Sequence, residues 1–176
     1  SESMQARKEK AREIQREKPD VVIDDYIQLV KVKNTNNKDR RFEIEDILTE
    51  YKWVCKKEDC SAILVSQLNR EIEKRLEPRP KMSDFSESGA IEQTAETALF
   101  VFYGYNFDDE KYDKHEIEVI CDKARYGKVG TYVMGFNGSK CKFYNSGDDA
   151  KKHAKELQSK HLSKISKDRV IEKGLF

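Results

Sequence analysis

Apolar residues fall into two rhythms along the first half of the chain. The runs Val21-Val22-Ile23 and Ala62-Ile63-Leu64-Val65 have the length and β-branched content of buried strands. Between them Ile44, Ile47, Leu48, Tyr51 and Val54 recur at three- and four-residue spacing, which predicts an amphipathic helix that Asp39 can cap. Strand, helix and strand in this order are the pattern of a right-handed β-α-β unit, so a parallel sheet is expected. Upstream, Met4, Ala11 and Ile14 keep helical spacing among charges until Pro19 ends the pattern. Lys33 to Lys38 reads as a polar loop.

Past Pro78-Arg79-Pro80 the rhythm changes. A short helical segment around Ile91 to Thr94 precedes an apolar strand from Ala98 to Tyr103. From Glu116 to Tyr144 the pattern predicts a strand, a turn at Gly127 and Gly130, a strand from Thr131 to Phe136, a turn at Asn137-Gly138, and a strand from Cys141 to Tyr144. Asn-Gly between such runs is a strong hairpin signal. Residues 148–165 return to helix, with Ala150, Ala154, Leu157 and Ile165 on one side. The fold class is α/β: a partial parallel sheet flanked by helices and extended by antiparallel hairpin strands.

At 176 residues the chain is sized for one domain. Charged residues make up 38% of it, so the core must lie in a few segments. The 34 basic and 33 acidic residues nearly cancel, and any nucleic-acid contact has to come from local loops rather than bulk charge. No run is long and apolar enough for a membrane span, and the expectation is a cytoplasmic protein. Cys55, Cys60, Cys121 and Cys141 lack paired C-x-x-C spacing, so reduced core thiols are expected; the alternative is a zinc site on Cys55 and Cys60 with a distant histidine.

Two places carry candidate chemistry. The first strand runs into Asp24 and Asp25, and a carboxylate at the carboxyl end of a parallel strand can hold Mg²⁺ through water. The second ends in Ser66-Gln67, where a neighbouring strand would face the same ligand. Loop-capping side chains are the plain alternative for both.

Asp25-Tyr26-Ile27-Gln28-Leu29 and Ser66-Gln67-Leu68-Asn69-Arg70 resemble two ordered motifs of the DnaB family of hexameric helicases. The stretch Ser83 to Gln93, with Glu87-Ser88-Gly89 at its centre, resembles the loop before that family's fourth core strand. Lys123-Ala124-Arg125-Tyr126-Gly127 is similar to its K-x-R-x-G hairpin, and Phe136-Asn137-Gly138 with Phe143 closes the series. Ala6 to Lys18 is similar to the basic helix before the metal-binding strand. The likeness covers roughly residues 6–145. Arg125-Tyr126-Gly127 and Val133-Met134-Gly135 also resemble phage replicative helicases, so a phage-infected bacterial host is one setting.

The resemblance implies a RecA-like motor that forms a homo-hexameric ring, binds ATP with Mg²⁺ between subunits and moves along single-stranded DNA. On it, Asp25 matches the Walker B aspartate that positions Mg²⁺, and Gln67 the amide that senses the terminal phosphate. Lys123 and Arg125 match the pair that reaches the neighbour's nucleotide; an exposed cationic hairpin is the plain alternative. The DNA-facing loops would be residues 32–40 and about 79–89, with Lys33, Lys38, Arg79, Lys81, Ser86, Glu87 and Gly89 as DNA-binding positions. Ser86 stands where many members carry arginine. Primase or a helicase loader would be further partners.

No G-x-x-x-x-G-K-[ST] occurs in the sequence, so the Walker A phosphate loop is absent from it, and the family's catalytic glutamate would also lie upstream of Ser1. The expectation is therefore the C-terminal part of a motor domain over residues 1–147, completed by a Walker A-bearing N-terminal half. Residues 148–176 are expected to form a lysine-rich helical tail, chiefly a solvated extension. The alternatives are a non-catalytic helicase relative that regulates a ring, and another ATPase of the RecA superfamily.

Overall fold

A computed structural model describes residues 19–30, 40–85 and 88–173, together with the helical position Glu9; the side chains of Arg41, Ser88 and residues 161–173 lie outside the description. The chain divides into two compact units, residues 1–98 and 99–176.

In the first unit, β1 (Val21–Asp24) and β2 (Ser61–Leu64) pair in parallel, with Val21 opposite Ser61 and Asp24 opposite Leu64. Helix α1 (Arg40–Glu58) connects them. Its stripe of Ile44, Ile47, Leu48, Tyr51 and Val54 is wholly buried, as the spacing predicts, and packs with Ile27, Val30 and Ile91. Ile91 belongs to the short helix α2 (Ser88–Thr94), which lies against α1. The proposed cap Asp39 lies outside the described residues. The other end of α1 closes at Asp59, in the left-handed region at φ 50°, where the Cys60 N–H reaches the Cys55 carbonyl at 3.1 Å. That is the six-residue ring of a Schellman end.

The strands alternate, and only one face of the pair is covered. Val22, Ala62 and Leu64 pack against the core, whereas Val21, Ile23, Ile63 and Val65 remain 43–66% exposed. The alternation also separates two residues that the sequence places together. Asp24 is the last residue of β1 and is 5% exposed, so it belongs to the interior; Asp25, one residue on, faces solvent.

In the second unit, β3 (Thr97–Phe102), β4 (Glu116–Ala124), β5 (Gly130–Asn137) and β6 (Lys142–Tyr144) form a sheet in that order. β4 and β5 pair antiparallel from Glu116 opposite Gly135 to Cys121 opposite Gly130. β5 and β6 form the hairpin that Asn137-Gly138 signals, but not with the two-residue turn expected of that pair. A 3₁₀ turn over Gly138–Lys140 is closed by Cys141 at φ 47°, so β6 begins one residue late, at Lys142. A longer connection needs only one left-handed residue, and here the cysteine supplies it. Aromatic rings pack around buried Phe102 and half-buried Phe136: Phe102 on Phe107 and Tyr112, and Phe136 on Tyr103 and Phe143, with Phe107 and Phe143 about half exposed.

Helix α3 (Gly147–Lys173) begins with a reciprocal cap, in which the Ser146 hydroxyl accepts from the Asp149 N–H and donates to its carboxylate. Its first turns are docked rather than solvated. Ala150 is fully buried, the Tyr144 hydroxyl meets His153 Nδ1 at 2.7 Å, and Lys151 pairs with Asp113 at 2.5 Å. Gly135 permits the approach, because a Cβ there would fall 1.9 Å from the Ser146 carbonyl oxygen. The expectation of a solvated extension is thus corrected for the start of this helix: small residues at 135, 147 and 150 let it sit on the sheet. Among the described residues no helix is long and apolar enough to cross a membrane.

Candidate functional site

Parallel pairing brings the carboxyl ends of β1 and β2 to one edge, where α/β proteins bind ligands. The chain stays fastened beyond both strands. The Val65 N–H donates to the Asp24 carbonyl and the Ile27 N–H to the Val65 carbonyl, each at 2.9 Å. Asp25 and Gln67 therefore leave adjacent strands at the same end, and both are exposed. Gln28 spans the gap: its Nε2 donates to Ser66 Oγ at 3.2 Å, and its Oε1 accepts from the Gln67 N–H at 3.4 Å.

The segment after Gln67 is braced to the second candidate loop. Leu68 bridges Phe85, and the Asn69 N–H donates to the Asp84 carbonyl at 2.7 Å. The Asp84 side chain, 2% exposed, is held by both terminal nitrogens of Arg75 and accepts from the Lys81 N–H at 2.9 Å. Desolvation opposes its ionisation, but the Arg75 hydrogen bond and then the Lys81 N–H outweigh that, and the carboxyl lies below its ordinary range. The same hydrogen bond raises Arg75, with desolvation working against it.

On this braced loop Arg79 is half-buried and Lys81 exposed, on either side of buried Pro80. Gly89 lies in the first turn of α2, and a Cβ there would meet nothing within 4 Å. Internal packing does not require glycine at that position. Lys33, Lys38, Ser86 and Glu87 lie outside the described residues. Lys123, half-buried, and Arg125, exposed, stand two residues apart where β4 ends and the hairpin tip begins. They belong to the second unit, and with exposed Lys128 they make its tip basic. The second unit also holds a cleft of about 760 Å³ lined by Tyr103, His115, Asn137, Lys140, Leu157 and Lys160, among others; no candidate residue lines it.

Reasoning from the sequence missed Arg75, Asp84 and the clasp made by Gln28. Gln28 lies within a family-like motif, but nothing in its spacing indicates a partner 38 residues away. Arg75 lies in a charged stretch with many equivalent neighbours.

The strand ends present few ligating groups, and among the described residues no cluster of three or more His, Cys, Asp or Glu side chains could hold a metal ion. Asp25 offers carboxylate oxygens to solvent and Gln67 an amide, while glycine-rich backbone to cradle phosphates is not among the residues there.

The comparisons with known proteins give the family and the fold. The DnaB-like helicase C terminal domain family matches residues 1–145, and the chain belongs to that family. It is 36% identical over 125 residues to the replicative DNA helicase DnaC of Bacillus subtilis (strain 168), a match covering 71% of this chain and 28% of that protein. To the replicative DNA helicase DnaB of Geobacillus stearothermophilus it is 34% identical, with the same coverage. Among solved structures, an ATPase domain superposes with a TM-score of 0.74 at 33% identity, over 82% of this chain and 51% of that one. A DnaB-like replicative helicase, solved in a study of its interactions with primase, matches with the same score over 35% of its length. The fold is the RecA-like α/β fold of DnaB ATPase domains. The chain spans between about a quarter and a half of the length of these relatives.

Proposed function

We propose that this chain is the sensor and arginine-finger part of a ring-forming replicative DNA helicase, which couples ATP hydrolysis to movement on single-stranded DNA and duplex unwinding. The observation that carries this reading is the parallel register. It sets Asp25 and Gln67 at one end of adjacent strands, in a chain of this family, and the next residues, Leu68 and Asn69, are joined to the loop of Arg79 and Lys81.

On this reading Asp25 holds Mg²⁺ through water, and Gln67 contacts the terminal phosphate of ATP. Mg²⁺ there would neutralise charge on the phosphates. Lys123 and Arg125 reach a neighbouring subunit's nucleotide, where a guanidinium matches charge spread over the phosphoryl oxygens and is worth on the order of a thousandfold in rate. Lys33, Lys38, Arg79 and Lys81 supply charge to DNA phosphates, Ser86, Glu87 and Gly89 belong to the 79–89 DNA-binding loop and act through its backbone, and the contacts carry no sequence preference. The open space beside Gly89 supports close approach by such a partner.

A Walker A-bearing segment completes the domain. Two features support this: the exposed apolar face of β1 and β2, and the free edges left because β2 pairs only with β1 and β3 only with β4 among the described residues. We assign residues 1–147 to the motor and the remainder to an appended helix, since the family match ends at 145. A homo-hexameric ring, and primase or a loader as partners, follow from the same reading. The test is to assemble the chain with a Walker A-bearing half and measure ATP hydrolysis with and without single-stranded DNA. DNA-stimulated turnover is expected; a ring that forms but never hydrolyses ATP favours the regulatory alternative.

A further inference from the structure

We propose that Gln28 is a positioning residue that transmits DNA occupancy to the hydrolysis site, through the clasp its amide makes on Ser66 and Gln67. This inference rests on the helicase reading above. The amide uses both of its functions: Nε2 donates to the Ser66 hydroxyl at 3.2 Å, and Oε1 accepts the Gln67 N–H at 3.4 Å. Gln28 follows Asp25 by three residues, inside a 3₁₀ turn over Ile27–Leu29 whose Ile27 side chain is buried in the core. A shift of the Gln67 backbone is therefore felt in the turn that follows Asp25.

The same residue is bonded to Arg40, at the end of one candidate DNA loop, and reaches the other through the chain after Gln67. Arg40 Nη2 donates to the Gln28 carbonyl oxygen at 2.8 Å, so residues 28 and 40 bracket the segment 31–39. Arg40 is itself oriented by Glu43 at 2.5 Å. On the other side, two residues beyond Gln67, the chain is pinned to the 79–89 loop by the Asn69 to Asp84 hydrogen bond. Gln28 thus joins the turn after Asp25 to the Ser66-Gln67 segment and to Arg40 directly, and to the 79–89 loop through residues 67–69. Ser66 is half-buried and Gln67 exposed, so water can replace the clasp if it is lost, and the unit does not depend on it to fold. A group whose loss water can repair structurally, but which fixes two catalytic backbones against each other, acts on coupling.

The test uses the complete helicase ring and Gln28→Leu, which keeps side-chain bulk and removes both hydrogen-bonding functions. The expected result is a fall of about tenfold in the DNA-stimulated kcat, with KM for ATP changed less than about twofold. Adding Ser66→Ala to Gln28→Leu should change little further, because Gln28→Leu already removes the bond to Ser66. An unchanged stimulation ratio in Gln28→Leu overturns the proposal. So does a proportional loss of ATP binding and of the rate without DNA, which would mark general damage. If Gln28→Leu fails to form rings, Ser66→Ala decides: it should lower stimulation partially, and full stimulation overturns the proposal. A wild-type ring without DNA-stimulated hydrolysis would instead sink the functional reading on which the proposal stands.

Discussion

Arg75 grips both carboxylate oxygens of Asp84, a residue only 2% exposed, and so fixes the base of the 79–89 loop to the chain that follows Gln67. Removing the guanidinium leaves a buried carboxylate with one backbone donor. Arg75→Ala is therefore expected to lower the melting temperature, to speed amide exchange at residues 81–85, and to weaken single-stranded DNA binding.

The pH dependence of that pair follows from the depressed Asp84 pKa. Its folded value lies below the unfolded one, so its stabilisation is complete above the unfolded carboxyl pKa of about 3.9 and is lost as pH falls through the folded value. The melting difference between wild type and Arg75→Ala should be full near neutrality and shrink in acid. A difference that grows on acidification would contradict the assignment.

The pair that docks α3 titrates at both ends of the scale. Asp113 is lowered chiefly by its hydrogen bond from Lys151, and Lys151 is raised chiefly by the same contact. The carboxylate's share is lost as pH falls through its folded pKa. The ammonium's share is present below the unfolded lysine pKa and lost as pH rises through the folded value. Both groups are partly exposed, so Lys151→Met should loosen the first turns of α3 in hydrogen exchange while shifting the overall melt only slightly.

Gly135 faces backbone rather than a side chain that can swing away. A methyl group there must displace the Ser146 carbonyl, so Gly135→Ala is expected to destabilise the second unit by about 1–3 kcal/mol. Calorimetry checks this, and an unchanged melt would show that the 146–147 corner moves freely.

The uncovered face of Val21, Ile23, Ile63 and Val65 should bind a hydrophobic dye in the isolated chain. Dye fluorescence should fall when a Walker A-bearing half is added. Equal fluorescence in both states would remove one support for that half covering this face.

Local pattern carried most of the fold into view. The stripe on α1 is legible because five apolar residues at helical spacing leave one way to bury them, and each is buried. Asp25 and Gln67 were legible as candidates because each follows a strand-like run. The pattern could not separate Asp24 from Asp25, since two adjacent carboxylates look alike until β alternation turns one inward. Nor could it show the Arg75–Asp84 pair, which joins two irregular segments with no period to read. The docking of α3 was hidden for a related reason: small residues at 135, 147 and 150 signal close packing only once the partner surface is known.

The most direct test of the central claim uses complementation between two defective subunits. Asp25→Asn should disable the subunit's own site, and Arg125→Ala the neighbour's. Each variant should form inactive rings alone. In rings assembled from equal parts of both, some interfaces pair an intact Asp25 with an intact Arg125 from next door, and DNA-stimulated ATP hydrolysis should return to about one quarter of wild type. Mixed rings that assemble but stay as inactive as their parents would contradict the account.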